Sequence, residues 1–218
     1  MKKLMIIHTT PATIQSLTDL VSQEMPGVEA VNILDDSILK DMVSGRNVEL
    51  VEKRWITYAS MWQAIGADAV LSACSTVGEF AEKADRQFPV PVLRIDEAMA
   101  EEAVKAGKKI SVFATLRSTL DPTVDLIRRK AEAAGKSCTV TTNLVEGAYD
   151  QLMAGNKDEH NRRIREQVAA QIADTDVVVL AQASMAGALE DFEEWQMSKI
   201  LTSPLSGIRH VRNVMKAI

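Results

Sequence analysis

The stretch that decides the fold is Ala69-Val70-Leu71-Ser72-Ala73-Cys74-Ser75-Thr76-Val77-Gly78-Glu79, which joins an apolar run to the start of a helix. The apolar run is typical of a strand in a parallel sheet that is covered on both faces. Ser75 and Thr76 are favourable N-cap residues for the helix that follows. Cys74 therefore ends a strand where a helix dipole favours a thiolate. We interpret it as a candidate reactive thiol; the alternative is a small apolar core residue.

Working outward, apolar runs alternate with helix-period segments along the whole chain, which is typical of parallel βαβ units. Two series are predicted, with strands near residues 4–7, 28–34, 69–72 and 90–93, and near 110–114, 138–142, 177–181 and 199–202. Helices are predicted to begin near residues 11, 37, 48 and 77, near 119, 146, 158 and 186, and at 204 for a last helix to 216. We expect an α/β fold of two pseudo-symmetric parallel-sheet halves, residues 1–95 with 204–218 and residues 96–203.

The two series align as a weak internal repeat. Cys74 follows His8 by 66 positions, and Ser184 follows Ala114 by 70, so Ser184 is the counterpart of Cys74. Open α/β sheets bind ligands at the carboxyl ends of their strands, so two facing halves would form one cleft. A chance resemblance between successive βαβ units is the alternative.

Composition bounds the classes of function. Hydrophobic residues make up 46% and charged residues 25% of the 218 residues, as in ordinary globular proteins. The net charge of −5 disfavours nucleic acid or an anionic membrane as a partner and leaves a small metabolite as the better expectation. The first apolar run stops at His8, too early for a secretory signal, and no segment has the length of a membrane helix. We expect a cytoplasmic protein.

Several other residues have both a structural and a functional interpretation. His8, at the end of the first strand, is suited either to acid–base chemistry or to a loop hydrogen bond. Arg46 and Arg117 are candidate carboxylate ligands or ordinary surface arginines. Cys138 is interpreted as a core residue in a strand at the middle of its sheet. His160 and His210 are given no role. Paired acids at 35–36, 101–102 and 193–194 are interpreted as helix starts or solvated faces.

An aromatic stripe is predicted on one face of a helix over residues 48–65, and we interpret it as core or subunit interface. Its members are Trp55, Tyr58, Met61, Trp62 and Ile65. Three dispersed histidines without paired cysteines argue against a metal site. The chain has neither a GxGxxG motif nor a P-loop, so a nucleotide site has no support.

Four segments in this order and spacing resemble the aspartate/glutamate racemase superfamily, which includes hydantoin racemases, maleate isomerases and arylmalonate decarboxylases. They are Cys74-Ser75-Thr76, residues 113–120, residues 180–186 and Leu201-Thr202-Ser203-Pro204. The resemblance covers nearly the whole chain. It implies an active site between two halves, no metal, no organic cofactor, and a homodimer or higher oligomer.

The resemblance also implies a mechanism in which two cysteines work on opposite faces of a carbon next to a carboxylate. One thiolate removes a proton, the other thiol returns one, and hydroxyls and N–H groups hold the enolate-like charge. Here Ser184 stands where the second cysteine is expected, and a hydroxyl is a much weaker acid than a thiol. Cys74 and Ser184 are thus the candidate catalytic residues. The expected substrate-binding residues are His8, Thr9, Thr10, Ser75, Thr76, Thr115, Ser118, Thr119 and Gln182.

Helix capping is the alternative role for these hydroxyls. Two functions stay open for the chain as a whole. The first is a cofactor-independent racemase, isomerase or lyase, including a decarboxylase, that acts on a small carboxylic acid. The second is a non-catalytic binding protein for small carboxylates that kept the fold after losing the second cysteine. A functional Cys74 is expected to be alkylated below the pH at which an ordinary thiol reacts.

Overall fold

A computed structural model describes the backbone of all 218 residues and every side chain except that of Asp191. The strands are β1 Lys2–His8, β2 Val28–Leu34, β3 Ala69–Ser72, β4 Val92–Arg94, β5 Lys109–Ala114, β6 Thr139–Leu144, β7 Val177–Leu180 and β8 Ile200–Thr202. The helices are α1 Ile14–Glu24, α2 Asp36–Val43, α3 Val48–Ser60, α4 Trp62–Ile65, α5 Gly78–Asp85, α6 Glu97–Ala106, α7 Arg117–Ala133, α8 Ala148–Met153, α9 Lys157–Ala169, α10 Glu194–Met197 and α11 Ser203–Ala217. Shorter 3-10 helices span Pro11–Thr13, Ser75–Val77, Ile172–Asp174 and Ala183–Asp191.

The chain divides into two compact units. Unit 1 comprises Met1–Glu97 and Pro204–Ile218, and unit 2 comprises Ala98–Ser203. Each contains one four-stranded parallel sheet, in the order β2-β1-β3-β4 in unit 1 and β6-β5-β7-β8 in unit 2. The predicted α/β fold with two parallel sheets is confirmed. The shared strand order gives the internal repeat a structural basis.

The core of unit 1 lies on both faces of its sheet, because the central strands β1 and β3 are apolar on both sides. One face packs Met5, Ile7 and Val70 against α3, whose Trp55 is fully buried. The other face packs Leu4 and Ile6 against α1 and α11. Helix α11 therefore covers one face of the sheet that residues 1–97 form.

Unit 2 follows the same plan with its own core. Val112, Val177 and Val179 pack against α7 on one face of the sheet. Phe113 and Val178 pack with Ile164 and Val168 of α9 on the other. Burial on both faces explains why β7, with the sequence Val177-Val178-Val179-Leu180, is continuously apolar.

Some local predictions were wrong. The helix predicted over residues 48–65 breaks at Met61, which has an exposed side chain, while Trp55 belongs to the core. Helix α6 was not predicted. Cys138 precedes β6, which lies at the edge of its sheet and not at the middle, although the side chain does pack against the core. The helix expected near residue 186 is a 3-10 helix that begins at Ala183.

Candidate active site

The predicted site residues lie at the carboxyl ends of the two central strands in each unit. In unit 1 the N–H of Ala73 donates to the carbonyl of Ile7 at 3.0 Å, which brings the segment after β1 beside the Cys74 turn. In unit 2 the N–H of Ala181 donates to the carbonyl of Phe113 at 2.9 Å, which does the same for the segments after β5 and β7. Each unit thus gathers its own set of candidate residues at one sheet edge.

Cys74 occupies the N-cap position of the 3-10 helix Ser75–Val77, with extended backbone angles, and α5 continues from Gly78. Four neighbouring groups act to lower the pKa of the Cys74 thiol: the hydroxyls of Thr9 and Thr76, and the backbone N–H groups of Thr76 and Val77. Thr9 is 1% exposed, and its buried hydroxyl has no hydrogen-bond partner within bonding geometry among the described residues, so its effect on the sulfur is that of a nearby donor. The turn therefore directs buried donors at the thiol.

Burial raises the pKa of the Cys74 thiol, and the four donors only partly oppose that effect. The residue keeps a partly exposed surface, yet the sulfur itself is closely surrounded. The expectation that the helix start would favour the thiolate is therefore wrong for the free protein, because the loss of water around the sulfur outweighs the hydrogen bonds to it. At neutral pH the resting form is the thiol.

A buried guanidinium lies against the helix that follows Cys74. Arg94, at the end of β4, makes two hydrogen bonds to Asp96, from Nε at 2.7 Å and from Nη2 at 3.0 Å, and a third to Glu82 of α5. Arg94 and Asp96 are almost completely buried. A Cβ atom on Gly78 would lie 2.4 Å from Cζ of Arg94, so glycine is needed at the start of α5 for this close approach. This packing fixes the position of α5 behind the Cys74 turn.

His8 is fully buried, and both of its ring nitrogens are hydrogen-bonded. Nε2 lies 2.8 Å from Oδ1 of Asn32, and Nδ1 lies 3.1 Å from Oγ1 of Thr13. Because the Asn32 oxygen can only accept, this arrangement assigns the proton to Nε2. Burial lowers the pKa of His8, and the hydrogen bond to Asn32 partly opposes it. The ring therefore connects β1, β2 and the first turn, as the loop-bonding interpretation predicts.

The predicted hydroxyl residues of unit 1 have different roles: some cap a helix, and others lie close to the Cys74 thiol. Thr10 caps the 3-10 helix Pro11–Thr13 through its contact with the N–H of Ala12 at 3.3 Å. Thr9, the preceding residue, instead has a buried hydroxyl that lowers the pKa of Cys74. Ser75 and Thr76 are buried within the turn itself. The sequence alone could not separate these roles, since all are threonines or serines near helix starts.

In unit 2, Thr115 and Gln182 link the ends of β5 and β7. Oε1 of Gln182 accepts from the backbone N–H of Thr115 at 2.6 Å and from its hydroxyl at 2.9 Å. Both Thr115 donors are therefore engaged by a neighbouring side chain in this state. The side-chain NH₂ of Gln182 stays directed elsewhere, because the oxygen makes both contacts.

The start of α7 carries the other predicted residues of unit 2. Its N-cap is Leu116, which has no side chain able to cap the helix. The hydroxyl oxygen of Ser118 is buried and has no hydrogen-bond partner among the described residues. Thr119 is buried one position further on. An uncapped helix start beside an unpartnered hydroxyl has the donors that a carboxylate needs.

Ser184 is partly buried in the 3-10 helix Ala183–Asp191. His160 of α9, to which the sequence assigned no role, is 1% exposed, and its Nδ1 lies 2.9 Å from Oδ1 of Asn161. Nδ2 of Asn161 in turn donates to the carbonyl of Gly187 at 3.0 Å. Helix α9 thereby supports the segment that carries Ser184. The polar sequence around His160 gave no signal of its burial.

The remaining candidates lie elsewhere or have structural partners. Arg46 pairs with Asp41 at 3.1 Å, and Arg117 is exposed at the start of α7. Asp35 caps α2, and Glu193 forms a capping box at α10, as expected for helix starts. Glu101 instead lies within α6 and pairs with Lys130 at 2.8 Å. Among the described residues, none of the helices is long and apolar enough to span a membrane, and no cluster suited to a metal ion is found.

Residues 3–200 match the family model for Asp/Glu/hydantoin racemases. The chain belongs to this family. The resemblance inferred from the four sequence segments is therefore confirmed. A search of curated proteins found no match to this racemase-family chain.

Solved racemase structures share the fold of this family member at low sequence identity. Glutamate racemase RacE1 from Bacillus anthracis has a TM-score of 0.79 at 13% identity, over 99% of this chain and 82% of that one. Allantoin racemase from Klebsiella pneumoniae has a TM-score of 0.72 at 13% identity, covering 100% and 89%. Aspartate racemase from Picrophilus torridus has a TM-score of 0.68 at 14% identity, covering 100% and 94%. At these identities the likeness establishes the fold and not the substrate.

Proposed function

We propose that this chain is a cofactor-independent racemase-type enzyme that transfers a proton at the carbon next to the carboxylate of a small acid, with Cys74 as its acid–base group. The observation that carries the proposal is the position of Cys74 at the start of the Ser75–Val77 helix, where nearby hydroxyls and backbone N–H groups lower the pKa of the thiol, in a chain of the racemase family. A cysteine that only fills space needs no such donors, because a thiol is a weak hydrogen-bonding group.

The raised pKa of Cys74 suits a proton donor. In the resting protein the sulfur holds its proton. Once solvent has taken that proton, the thiolate removes the proton from the carbon, and the resulting thiol returns a proton to the carbanion, which regenerates the buried thiolate. The hydroxyls of Thr9 and Thr76 and the N–H of Val77 stabilise that thiolate, since each donates to the charged form. The thiolate then serves as the base for the reverse transfer. An acid–base group must work in both directions if proton exchange is to be catalytic.

Unit 2 has donors that suit a carboxylate. We propose that the start of α7 binds one, through its uncapped N–H groups and the unpartnered hydroxyl of Ser118. Thr115 joins this set when its contacts with Gln182 are exchanged for contacts with the ligand. Donors aimed at a carboxylate also stabilise the enolate-like form, whose oxygens carry more charge than those of the acid.

Ser184 is the counterpart of Cys74 in the second repeat, and its hydroxyl limits the chemistry. We propose that proton exchange through Cys74 is efficient and that exchange relying on Ser184 is slow, since an unactivated serine is a weak acid–base group. His8 does not remedy this, because both of its ring nitrogens are already bonded.

The test is hydrogen–deuterium exchange at carbon in deuterium oxide, followed by proton NMR. Glutamate and aspartate are suitable first compounds, together with 2-hydroxy acids and substituted malonates, which also test decarboxylation. Cys74→Ser should abolish exchange while folding is retained, because the oxygen analogue cannot act at an accessible pH. Cys138→Ser is the matched control and should exchange at the wild-type rate.

If the Cys74→Ser variant exchanged hydrogen at a rate within a few-fold of the wild-type rate, Cys74 would not be the acid–base group. Saturable binding of an acid, without exchange in any compound, would favour the non-catalytic binding protein instead. Chiral chromatography of both enantiomers then tests Ser184: efficient racemisation of both by the wild-type enzyme would show that Ser184 is not limiting.

A further inference from the structure

Unit 2 contains a cavity of about 300 Å³ that is remote from the Thr115 and Ser184 segments along the strands. It lies over the first residues of β5 and β6 and beneath the turn Ile172–Asp174. Its volume is at the lower end for sites that bind small molecules, which excludes dinucleotides and peptides. Its lining includes Ser111, Thr139, Thr141, Gln171, Lys109 and Asp174.

Comparison of the two repeats shows that the floor of this cavity is unusual. In unit 1, Leu4 of β1 pairs with the first residue of β3, and in unit 2, Ile110 of β5 pairs with the first residue of β7. Leu4 and Ile110 are therefore equivalent positions. Ser111, Thr141 and Asn143 then correspond to Met5, Val31 and Ile33 of unit 1. Met5 and Ile33 pack in the same core as Trp55, and Val31 lies on the same face of β2 without joining that core. Unit 2 thus has polar side chains at three positions where unit 1 has apolar ones, and Ser111 and Thr141 line the cavity.

The polar floor is internally connected. Nδ2 of Asn143 donates to Oγ of Ser111 at 2.9 Å, and Oγ of Ser111 lies 3.1 Å from Oγ1 of Thr141. Ser111 is 2% exposed, whereas Thr141 is exposed. The buried serine is therefore satisfied by its neighbours. The hydroxyl of Thr141, which lines the cavity, also donates to the carbonyl of Ile110 at 3.5 Å, and a ligand would exchange this long bond for its own. The fold alone does not require these hydrogen bonds, because unit 1 forms the same type of sheet with apolar residues at the equivalent positions.

The charged groups of the cavity also differ between the repeats. In unit 1, Nζ of Lys3 lies 3.7 Å from a carboxylate oxygen of Glu29 and donates to the carbonyl of Ile65. The equivalent lysine of unit 2 is Lys109, and Thr139 stands where Glu29 would be. A carboxylate is instead present at Asp174, in the turn opposite. Lys109 and Asp174 both line the cavity and form no ion pair with each other among the described residues, while the charge of Lys109 helps to lower the pKa of the neighbouring Asp176.

The turn above the cavity is held rigidly. The Thr175 hydroxyl donates to the carbonyl of Lys109 at 2.7 Å. Nζ of Lys199 donates to the carbonyls of Ile172 and Thr175 at 3.2 and 2.9 Å. Asp176 accepts from the backbone N–H groups of Lys108 and Lys109, both at 2.8 Å, so its carboxylate and the Lys199 ammonium are already engaged. The cavity is thus preformed, which lowers the entropic cost of binding.

We propose that this cavity is a second ligand site, for a free α-amino acid with a polar side chain. The ligand carboxylate pairs with Lys109, its ammonium group pairs with Asp174, and its polar side chain bonds to Thr141 and Gln171. Opposite charges on the two sides of the cavity favour a zwitterion over a simple anion, since an anion would approach the Asp174 carboxylate. The site is separate from the proposed catalytic residues and does not depend on their function.

The experiment is a titration of the ¹⁵N-labelled full chain with L-glutamine, followed by amide NMR. Saturable shifts are expected for the amides of residues 109–111, 139–141 and 171–175. Thr141→Val should weaken binding about tenfold, the equivalent of one lost hydrogen bond of ~1.4 kcal/mol. Thr142→Val is the matched control, because Thr142 is exposed on the opposite face of β6, and it should bind as the wild type does.

Two analogues of glutamine test the charges. Glutaramate, which lacks the amino group, and 4-aminobutanamide, which lacks the carboxylate, should each bind at least tenfold more weakly than glutamine. The Asp174→Asn variant should bind glutamine and glutaramate with equal affinity. The Lys109→Met variant should bind glutamine and 4-aminobutanamide with equal affinity. The proposal is overturned if glutamine shifts no amide of the cavity at millimolar concentration, if it shifts only the Cys74 turn, or if the Thr141 and Thr142 variants bind equally.

Discussion

At the scale of the residue, the chemistry of Cys74 is a balance between burial and donors. Burial raises its pKa, so the thiol stays protonated at a pH where a free thiol, with a pKa of about 8.5, has begun to ionise. In a Cys138→Ser background, alkylation of Cys74 by iodoacetamide should therefore reach half its maximal rate at a higher pH than alkylation of free cysteine. A half-maximal pH at or below that of free cysteine would contradict the effect of burial.

The donors around Cys74 can be tested one at a time. Thr9→Val removes a hydroxyl that stabilises the thiolate, so the half-maximal pH for alkylation should rise further. Thr10→Val is the matched control, because the Thr10 hydroxyl caps the 3-10 helix Pro11–Thr13. The pH profile of Cys74 alkylation in this variant should equal that of the Cys138→Ser parent. Equal profiles for the Thr9 variant and its parent would show that the hydroxyl does not act on the sulfur.

The sequence predicted where the site residues lie, but not what each one contacts. Strand ends and helix starts are local patterns, so Cys74, Thr9 and Ser118 could be placed at sheet edges in advance. The direction of the Cys74 pKa could not, because it depends on how closely distant segments surround the sulfur. The bonds of His8 to Asn32 and Thr13 and the burial of His160 likewise arise from tertiary packing.

At the scale of the element, α5 is positioned by the Arg94 guanidinium. Gly78→Ala would place a methyl group 2.4 Å from Cζ of Arg94, so the buried ion pair with Asp96 or the helix start must shift. We expect a loss of about 1–3 kcal/mol in the free energy of unfolding, as for other overpacked sites. The measurement is urea denaturation followed by circular dichroism.

Gly187→Ala provides the comparison, because its methyl group would meet Nδ2 of Asn161 at 3.3 Å, a contact that a small movement relieves. We expect a clearly smaller loss of stability there. A Gly78 variant as stable as the Gly187 variant would mean that α5 tolerates displacement and that Arg94 does not fix it.

Element types were predictable in most of the chain, since long apolar runs and helix caps are read from neighbouring residues. The exceptions have physical causes. Helix α3 ends at Ser60 although the apolar period continues, because Met61 turns outward and a new turn begins at Trp62. The position of Cys138 at a sheet edge depends on strand order, which no local pattern encodes.

At the scale of the whole molecule, unit 1 depends on a helix that comes from the other end of the chain. Ile208 of α11 is fully buried against Leu4 and Ile6. Ile208→Ala should cost about 2–5 kcal/mol and should reduce amide protection in β1 and β3 without affecting β5 and β7. Ile218→Ala, at an exposed position, should change neither stability nor amide protection. Loss of protection in unit 2 alone would contradict this division.

The discontinuous layout of unit 1 also has a consequence for biosynthesis. A ribosome releases the strands of unit 1 before unit 2 and the α11 segment after it. Unit 2 is a continuous segment and is free to fold during translation, whereas the sheet face formed by Leu4 and Ile6 lacks part of its cover until α11 has been synthesised. The half that carries Cys74 is therefore begun before unit 2 and completed after it.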